Sequence, residues 1–415
     1  MRVALVTQKF GRGGGQERWT ESFATALHER GWEVHVVTRC ILPSDAVFPF
    51  RIHYVPSVAR DPFRFAIEAQ RLLAEIQPEV VHDMGDGWGG DLLHYHGGPY
   101  PLLAERKLAA LSPMCQLLKR WAWRVLPHYR RRYWFAREQG RRHPGLVIAL
   151  SRYQAGQIPN LLGVPKERIR VIYNGVDIVR FSPANKVLFR EAVRDYLGVD
   201  RSVTLFLVVA NHFALKGVPQ LIRAVAELSK KEKRVHLLVL GRRKGLAGWM
   251  ARQGFRGGIP VTFLGWVDDP TPFYAAADVY VHPTFYDSCS LAVLEALATG
   301  IPVITTRYNG AGEIMEDGRE GFVLPDPKDV RALREKLEML LSPQLRKEMG
   351  VFAREKAMLF RFERNVDEIL HLYGEITGLR PIGNTHSLHF PSSLSIGVGA
   401  AFLRGKHLPE REATA

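Results

Sequence analysis

Four residues between positions 216 and 295 could do chemistry together: Lys216, Asp287, Ser290 and Glu295. The run Asp278-Val279-Tyr280-Val281 reads as a strand, and Asp287-Ser288-Cys289-Ser290-Leu291-Ala292-Val293-Leu294-Glu295 as a loop that opens a helix ending at Gly300. Asp287 lies just before that helix and Ser288 or Ser290 can cap it. The first free amides, at Ser290 and Leu291, then carry the positive end of the helix dipole. Such an end binds phosphate. Glu295 follows about 7 Å along the helix axis, near the distance from a pyrophosphate to its ribose, where a carboxylate can accept both ribose hydroxyls. Lys216 comes after the apolar run that ends at Val209 and puts an ammonium at the same edge, able to neutralise a diphosphate. The plainer readings are a cap for Asp287, a solvated face for Glu295 and a surface lysine for Lys216. Apolar Leu294, Ala296 and Leu297 around Glu295, and a helix start that disfavours a cation at Lys216, weigh against them.

These residues need a scaffold, and the chain supplies two. Short apolar runs at 3–7, 34–38, 80–82 and 147–150 alternate with amphipathic stretches, the first at 17–30. This is the rhythm of a doubly wound parallel sheet. A second series follows at 204–209, 235–240, 261–264, 279–281 and 303–305. The expected fold is α/β, with two Rossmann-like domains facing across a cleft, because ligands of such sheets sit at the carboxyl ends of the strands. The boundaries expected are 1–173, a hinge at 174–186 marked by Asn174-Gly175 and Pro183, and 187–380. Residues 381–415 are rich in Ser, Gly, Pro and His without useful periodicity and are expected to form a disordered tail.

At 415 residues the chain is long enough for two cores. No run of about 18 apolar residues is present to span a bilayer, and the start lacks the pattern of a signal peptide. Three widely spaced cysteines, Cys40, Cys115 and Cys289, support neither a disulfide framework nor a metal cage, so a cytoplasmic location is expected. After the first strand, Phe10-Gly11-Arg12-Gly13-Gly14-Gly15 opens a helix whose backbone an anion could approach closely. GxGxxG spacing is absent and no clear ribose-binding acid follows, which argues against a dinucleotide site. Asp83 and Asp86 are assigned to their turn.

Taken together, Asn174-Gly175-Val176-Asp177, Lys216-Gly217, Leu264-Gly265, Ala276-Ala277-Asp278 and the 287–295 segment resemble the retaining glycosyltransferases of family 4, which have the GT-B fold. The similarity runs over about residues 1–375. It implies transfer of a hexose from a nucleotide-sugar donor, UDP-glucose or similar, without a metal or other cofactor. It also implies retention guided by the leaving diphosphate, with Lys216 and the helix amides stabilising its charge. The family's acidic pair has two glutamates seven residues apart; here the first is Asp287, implied to reach a hydroxyl of the donor sugar. An arginine usual five residues before the lysine is replaced by the Asn211-His212 region, and Arg242 or Arg243 is the suggested substitute. The resemblance further assigns Gly14 and Gly15 to donor phosphate and acceptor, backbone at Val267 to the base, and His96, with His94 in reserve, to the reacting sugar. It implies a last helix that packs back on the N-terminal domain.

The net charge of +15 concentrates in a basic aromatic insertion near 104–143. Cations such as Arg130, Arg131 and Arg132 interleave there with Trp121, Trp123, Tyr129, Tyr133, Trp134 and Phe135. An anionic membrane suits that mixture, nucleic acid could use it, and a solvated basic helix pair with inward aromatics is the plainest account. The Gly13 to Arg18 opening and Phe135-Ala136-Arg137-Glu138-Gln139 look most like the bacterial lipopolysaccharide-core glucosyltransferases of family 4. That resemblance implies a lipid-linked or lipopolysaccharide-core acceptor at the inner face of the cytoplasmic membrane and no nucleic-acid partner. A nucleotide-sugar epimerase and a non-catalytic membrane or nucleic-acid binding protein are the alternatives.

Overall fold

The computed structural model describes residues 1–11, 13–42, 47–55, 61–241 and 258–378. Arg242, Arg243 and the 381–415 segment lie outside them. The chain divides into two compact units, one of Met1–Asn174, Asp287–Cys289 and the stretch from Glu363, the other of Gly175–Tyr286 and Ser290–Phe362.

The first unit is built on a parallel sheet of seven strands: β1 (Arg2–Phe10), β2 (Glu33–Ile41), β3 (Arg51–Tyr54), β4 (Val80–Asp83), β5 (Leu92–His94), β6 (Leu146–Ala149) and β7 (Ile169–Val171). Their order is β3-β2-β1-β4-β5-β6-β7. Its helices are α1 (Gly15–Glu29), α2 (Pro62–Ile76), α3 (Tyr100–Ala109), α4 (Pro113–Val125), α5 (Pro127–Arg142) and α6 (Arg152–Leu162). The inner strands are apolar runs buried on both faces, as crossover helices on both sides require, while β3 and β7 at the sheet's edges are partly exposed. Val3 pairs with Val34 and with Val80, which places β1 centrally and fixes the reversal of strand order between β1 and β4.

The second unit carries six parallel strands: β8 (Thr204–Val209), β9 (Val235–Leu240), β10 (Val261–Gly265), β11 (Val279–Val281), β12 (Val303–Thr306) and β13 (Gly321–Leu324). They run in the order β10-β9-β8-β11-β12-β13, which reverses between β8 and β11. Around them lie α7 (Asn185–Leu197), α8 (Val218–Lys231), α9 (Thr271–Ala276), α10 (Leu291–Ala298), α11 (Val330–Met339) and α12 (Pro343–Met358), and the last described helix is α13 (Phe362–Thr377). From Glu363 onward α13 belongs to the first unit.

Several motif residues hold this scaffold. Asp278 accepts from Arg190 at 2.6 Å, from Arg194 at 2.5 Å and from the Leu205 amide at 2.8 Å, at the amino end of β11. Arg194 is almost fully buried, so this carboxylate neutralises a desolvated cation. Gly175 lets the backbone pass Arg361 and Phe362, where a Cβ would stand 2.6 Å from the Arg361 carbonyl oxygen. Asp177 caps its turn by accepting from the Val179 and Arg180 amides.

Candidate functional site

The reversal between β8 and β11 opens a crevice at the carboxyl edge of the second sheet. Lys216 lies in the turn after β8, before Gly217 caps α8. Gly217 has φ +68°, and a Cβ there would collide with the Pro283 carbonyl oxygen, so both conformation and space demand glycine. The turn is tied to the loop after β11: the Phe285 amide donates to Leu215 O at 2.8 Å, and the Thr284 hydroxyl, 2.9 Å from Tyr286 O, also lies 3.1 Å from that oxygen. Lys216 Nζ reaches Tyr286 O at 3.4 Å, beside Asp287 in sequence. The lysine thus precedes the helix rather than sitting in its first turn.

Ser290 is the N-cap of α10, its hydroxyl accepting from the Val293 amide at 3.4 Å. Asp287, half-buried, lies three residues before that cap. The Ser290 amide, expected to be free, donates instead to Asn309 Oδ1 at 3.1 Å. Asn309 is fully buried and also receives the Ala311 amide, so it is rigidly placed and consumes that donor. Among the described residues the Leu291 and Ala292 amides have no protein acceptor, as the first turn of a helix leaves them. The amides left open at this helix start are accordingly Leu291 and Ala292, where Ser290 and Leu291 were expected.

Glu295 is half-buried, and Oε2 accepts from the Tyr274 hydroxyl at 2.8 Å. That hydroxyl also lies 3.1 Å from Ala292 O. Tyr274 sits on α9 with its ring buried, so it fixes which way the carboxylate faces. Arg180 adds positive charge: its guanidinium pairs with Asp269 at 2.9 Å, and both Asp269 and Glu295 help to raise its pKa against the opposing effect of burial. Val267 follows β10 at a half-buried position. Of the residues singled out in the sequence, Lys216, Val267, Leu291 and Glu295 lie at this edge and Asp287 falls in the first unit, while Tyr274 and Asn309 were not singled out. A buried tyrosine in Thr271-Pro272-Phe273-Tyr274 resembles core, and nothing near Asn309 announces a partner 19 residues away.

In the first unit the reversal falls between β1 and β4. Gly14 is the N-cap of α1 and Gly15 its first residue. A Cβ at Gly14 would stand 2.9 Å from Glu17 Oε2, so a carboxylate already lies beside this helix start. Asp83 Oδ1 accepts from the Gly85, Asp86 and Gly87 amides and so serves its turn as expected, whereas Asp86 accepts from the Gln8 amide and ties the loop to β1. Burial raises Asp83 to about 7 and Asp86 to about 6.

His94 ends β5 and His96 follows it, with ring centroids 4.0 Å apart. Trp19 packs on both, and its Nε1 donates to Asn365 at 3.0 Å. A third histidine, His82, lies 3.2 Å from His94 Nδ1 through its Nε2. Burial lowers His82 and His96 to about 3 and His94 well below its ordinary value, so all three are neutral. Nε2 of His94 and of His96 is buried without a hydrogen-bond partner among the described residues. No group of three or more His, Cys, Asp or Glu among those residues is placed to hold a metal ion.

The basic insertion is helical and two-sided. Phe135 packs inward against Phe63 and Trp88, and Gln139 bonds Tyr95 and Gly87. Helix α4 has no buried residue, and Met114, Leu117, Leu118 and Trp121 are each more than 60% exposed. No described helix is long and apolar enough to cross a membrane.

Two family models match the chain: Glycosyltransferase Family 4 over residues 13–180 and Glycosyl transferases group 1 over 203–343. The D-inositol 3-phosphate glycosyltransferase of Saccharomonospora viridis is 29% identical over 238 residues, covering 54% of this chain and 53% of its own. The chain spans about half the length of most such curated relatives it matches. The enzyme of that name from Thermomonospora curvata is 27% identical across 88% of this chain and 91% of its own. Among solved structures, WaaG, a glycosyltransferase involved in lipopolysaccharide biosynthesis, superposes with TM-score 0.75 at 24% identity over 91% of this chain and all of its own. HepE of Anabaena in complex with UDP-glucose gives 0.68 at 18% identity over 90% and 100%. At these identities the two structures establish a shared fold.

Proposed function

The chain belongs to glycosyltransferase family 4 and has the GT-B fold, and from that premise we propose that it moves a hexose with retention from UDP-glucose or a close relative. The acceptor in this reading is a lipid-linked or lipopolysaccharide-core saccharide. One observation carries the donor assignment: Lys216, the open Leu291 and Ala292 amides and a tyrosine-oriented Glu295 share the carboxyl edge at the β8–β11 reversal. The ammonium and the amides receive the diphosphate, and Glu295 accepts the ribose hydroxyls through the oxygen Tyr274 leaves open. Asp287 and His96 are assigned to hydroxyls of the donor sugar, Gly14 and Gly15 to the phosphate and acceptor, and Val267 to the base.

In the transfer step the anomeric C–O bond to the diphosphate breaks and a bond to the acceptor oxygen forms on the same face. The acceptor proton passes to a diphosphate oxygen, so no protein nucleophile is required. Charge accumulates on the leaving group, and donors already fixed there stabilise it most. No metal is assigned to the reaction. Incubation with candidate nucleotide-sugars and a core saccharide, followed by anomeric NMR of the product, tests this reading. An α-configured product from an α-configured donor is expected; an inverted product, or a rearranged sugar nucleotide formed without acceptor, would contradict it.

Helix α4 carries the membrane part of the proposal. Its exposed Met114, Leu117, Leu118 and Trp121 adjoin the cations of α4 and α5, a combination suited to the interface of an anionic leaflet at the inner face of the cytoplasmic membrane. Binding to anionic liposomes that weakens as salt rises is the expected behaviour. Absence of flotation at low salt would remove this part.

A further inference from the structure

Helix α13 reaches the histidine edge of the first sheet through a chain of hydrogen bonds that the transfer step does not use. Tyr373, on α13, places its hydroxyl 2.7 Å from His82 Nδ1; His82 Nε2 lies 3.2 Å from His94 Nδ1; and His94 Nε2 is buried without a partner among the described residues. Burial pushes the Tyr373 phenol well up, so it keeps its proton. Each imidazole is neutral and carries a single N–H, so the proton order along the chain is an either-or choice.

If the phenol donates to His82 Nδ1, the His82 proton must sit on Nε2 and be donated to His94 Nδ1. The His94 proton is then forced onto Nε2, and only that N–H lacks a partner. In the reverse order His94 Nδ1 donates to His82 and His82 Nδ1 donates to the phenol oxygen. The buried phenol hydrogen is then left without a described acceptor, and the bare His94 Nε2 without a donor. Stranding two groups costs more than stranding one, so the first order prevails.

We propose that Tyr373 is a positioning residue which, acting through His82, locks His94 in its Nε2–H tautomer and thereby presents a fixed hydrogen-bond donor beside His96 at the carboxyl end of β5. The matching ligand group is an oxygen acceptor, either a sugar hydroxyl or a phosphate oxygen. The same helix steadies the other side of the pair, because Asn365 accepts from Trp19, whose ring packs on both His94 and His96. Only the consequence for turnover rests on the proposed sugar transfer; the tautomer does not.

Long-range nitrogen–proton correlation spectra of the full chain with 15N-labelled histidine read the tautomer directly, with His94 assigned by its loss in His94→Gln. The wild type is expected to show a protonated Nε2 and a bare Nδ1 on His94. In Tyr373→Phe, where the driving proton is gone, the two tautomers should average, and kcat should fall roughly tenfold while KM for the donor stays within about twofold. A protonated Nδ1 or an averaged signal in the wild type overturns the proposal, as does an unchanged single tautomer in Tyr373→Phe. If Tyr373→Phe fails to fold, the wild-type spectrum alone decides. A correct tautomer in a protein that transfers no sugar would leave this inference standing and count against the proposed function.

Discussion

Both sheets reverse strand order and both put candidate residues at the reversal, yet they equip that edge in opposite ways. The second sheet offers charge and open amides, with Lys216 and Glu295 set on a turn, a short helix and a loop tied by local hydrogen bonds. The first offers neutral, buried imidazoles packed on tryptophan and steadied by a helix from the far end of the chain. Charge at an edge can attract and neutralise a ligand, and its cost is limited by partial solvation. Neutral imidazoles in a dry setting can only orient hydrogen bonds, but do so with little reorganisation. On the proposed function, one edge holds an anion and the other aligns hydroxyls.

The largest expected effect separates scaffold from site within the second unit. Asp278→Ala leaves the nearly buried Arg194 without its carboxylate and should destabilise this unit by about 3–5 kcal/mol in chemical denaturation. A loss below about 1 kcal/mol would mean that the pair is dispensable and that the carboxyl edge is not rigidly backed. Next come Lys216→Ala and Glu295→Ala, each expected to lower the transfer rate by about 10²–10³ with the melting temperature held. Near-wild-type turnover in both would erase the contrast between the two edges.

A smaller step tests orientation alone. Tyr274→Phe keeps the ring in the core and removes one hydrogen bond to a carboxylate, for a loss of about 1.5–3 kcal/mol shared between stability and donor binding. An unchanged donor KM would show that Glu295 does not depend on that hydroxyl.

The smallest expected effect concerns pH and belongs to the first unit. His82 and His96 have folded values of about 3 against an ordinary 6.5, so their contribution to stability is complete above pH 6.5 and is lost as pH falls toward 3. Asp83 at about 7 and Asp86 at about 6 act in the opposite sense, their contribution being full below 3.8 and lost as pH rises through those values. A single melting curve therefore blends the two, and a difference measurement separates them. His96→Asn should gain on the wild type by about 1.4 kcal/mol between pH 7.5 and 5.5. A constant difference across that range would mean that His96 is not held neutral.

The second edge was largely legible in the sequence because its signals are local. A strand, a loop with Ser290, a helix and a glycine stop occur within one short stretch, and each residue type has its own reason to be there. Asn309 escaped because it acts across a separate loop, and its bond to Ser290 moves the open amides by one residue. Tyr274 escaped because a buried aromatic looks the same whether or not its hydroxyl has work. The strands β3 and β7 were missed because the short, partly exposed runs Arg51–Tyr54 and Ile169–Val171 carry too little apolar signal, and the buried β13 because it is only four residues long. The histidine edge was legible only as two residues, His94 and His96. His82 sits in an apolar strand as if it were core, and Tyr373 meets it from 291 residues away, a pairing no local pattern encodes.

The most direct test of the central claim, that the donor nucleotide binds the carboxyl edge of the second sheet, is calorimetric titration of UDP into the wild type, Lys216→Ala and Glu295→Ala. The account predicts binding to the wild type and at least tenfold weaker binding to both variants, about 1.4 kcal/mol each. Equal affinity for all three proteins would contradict it.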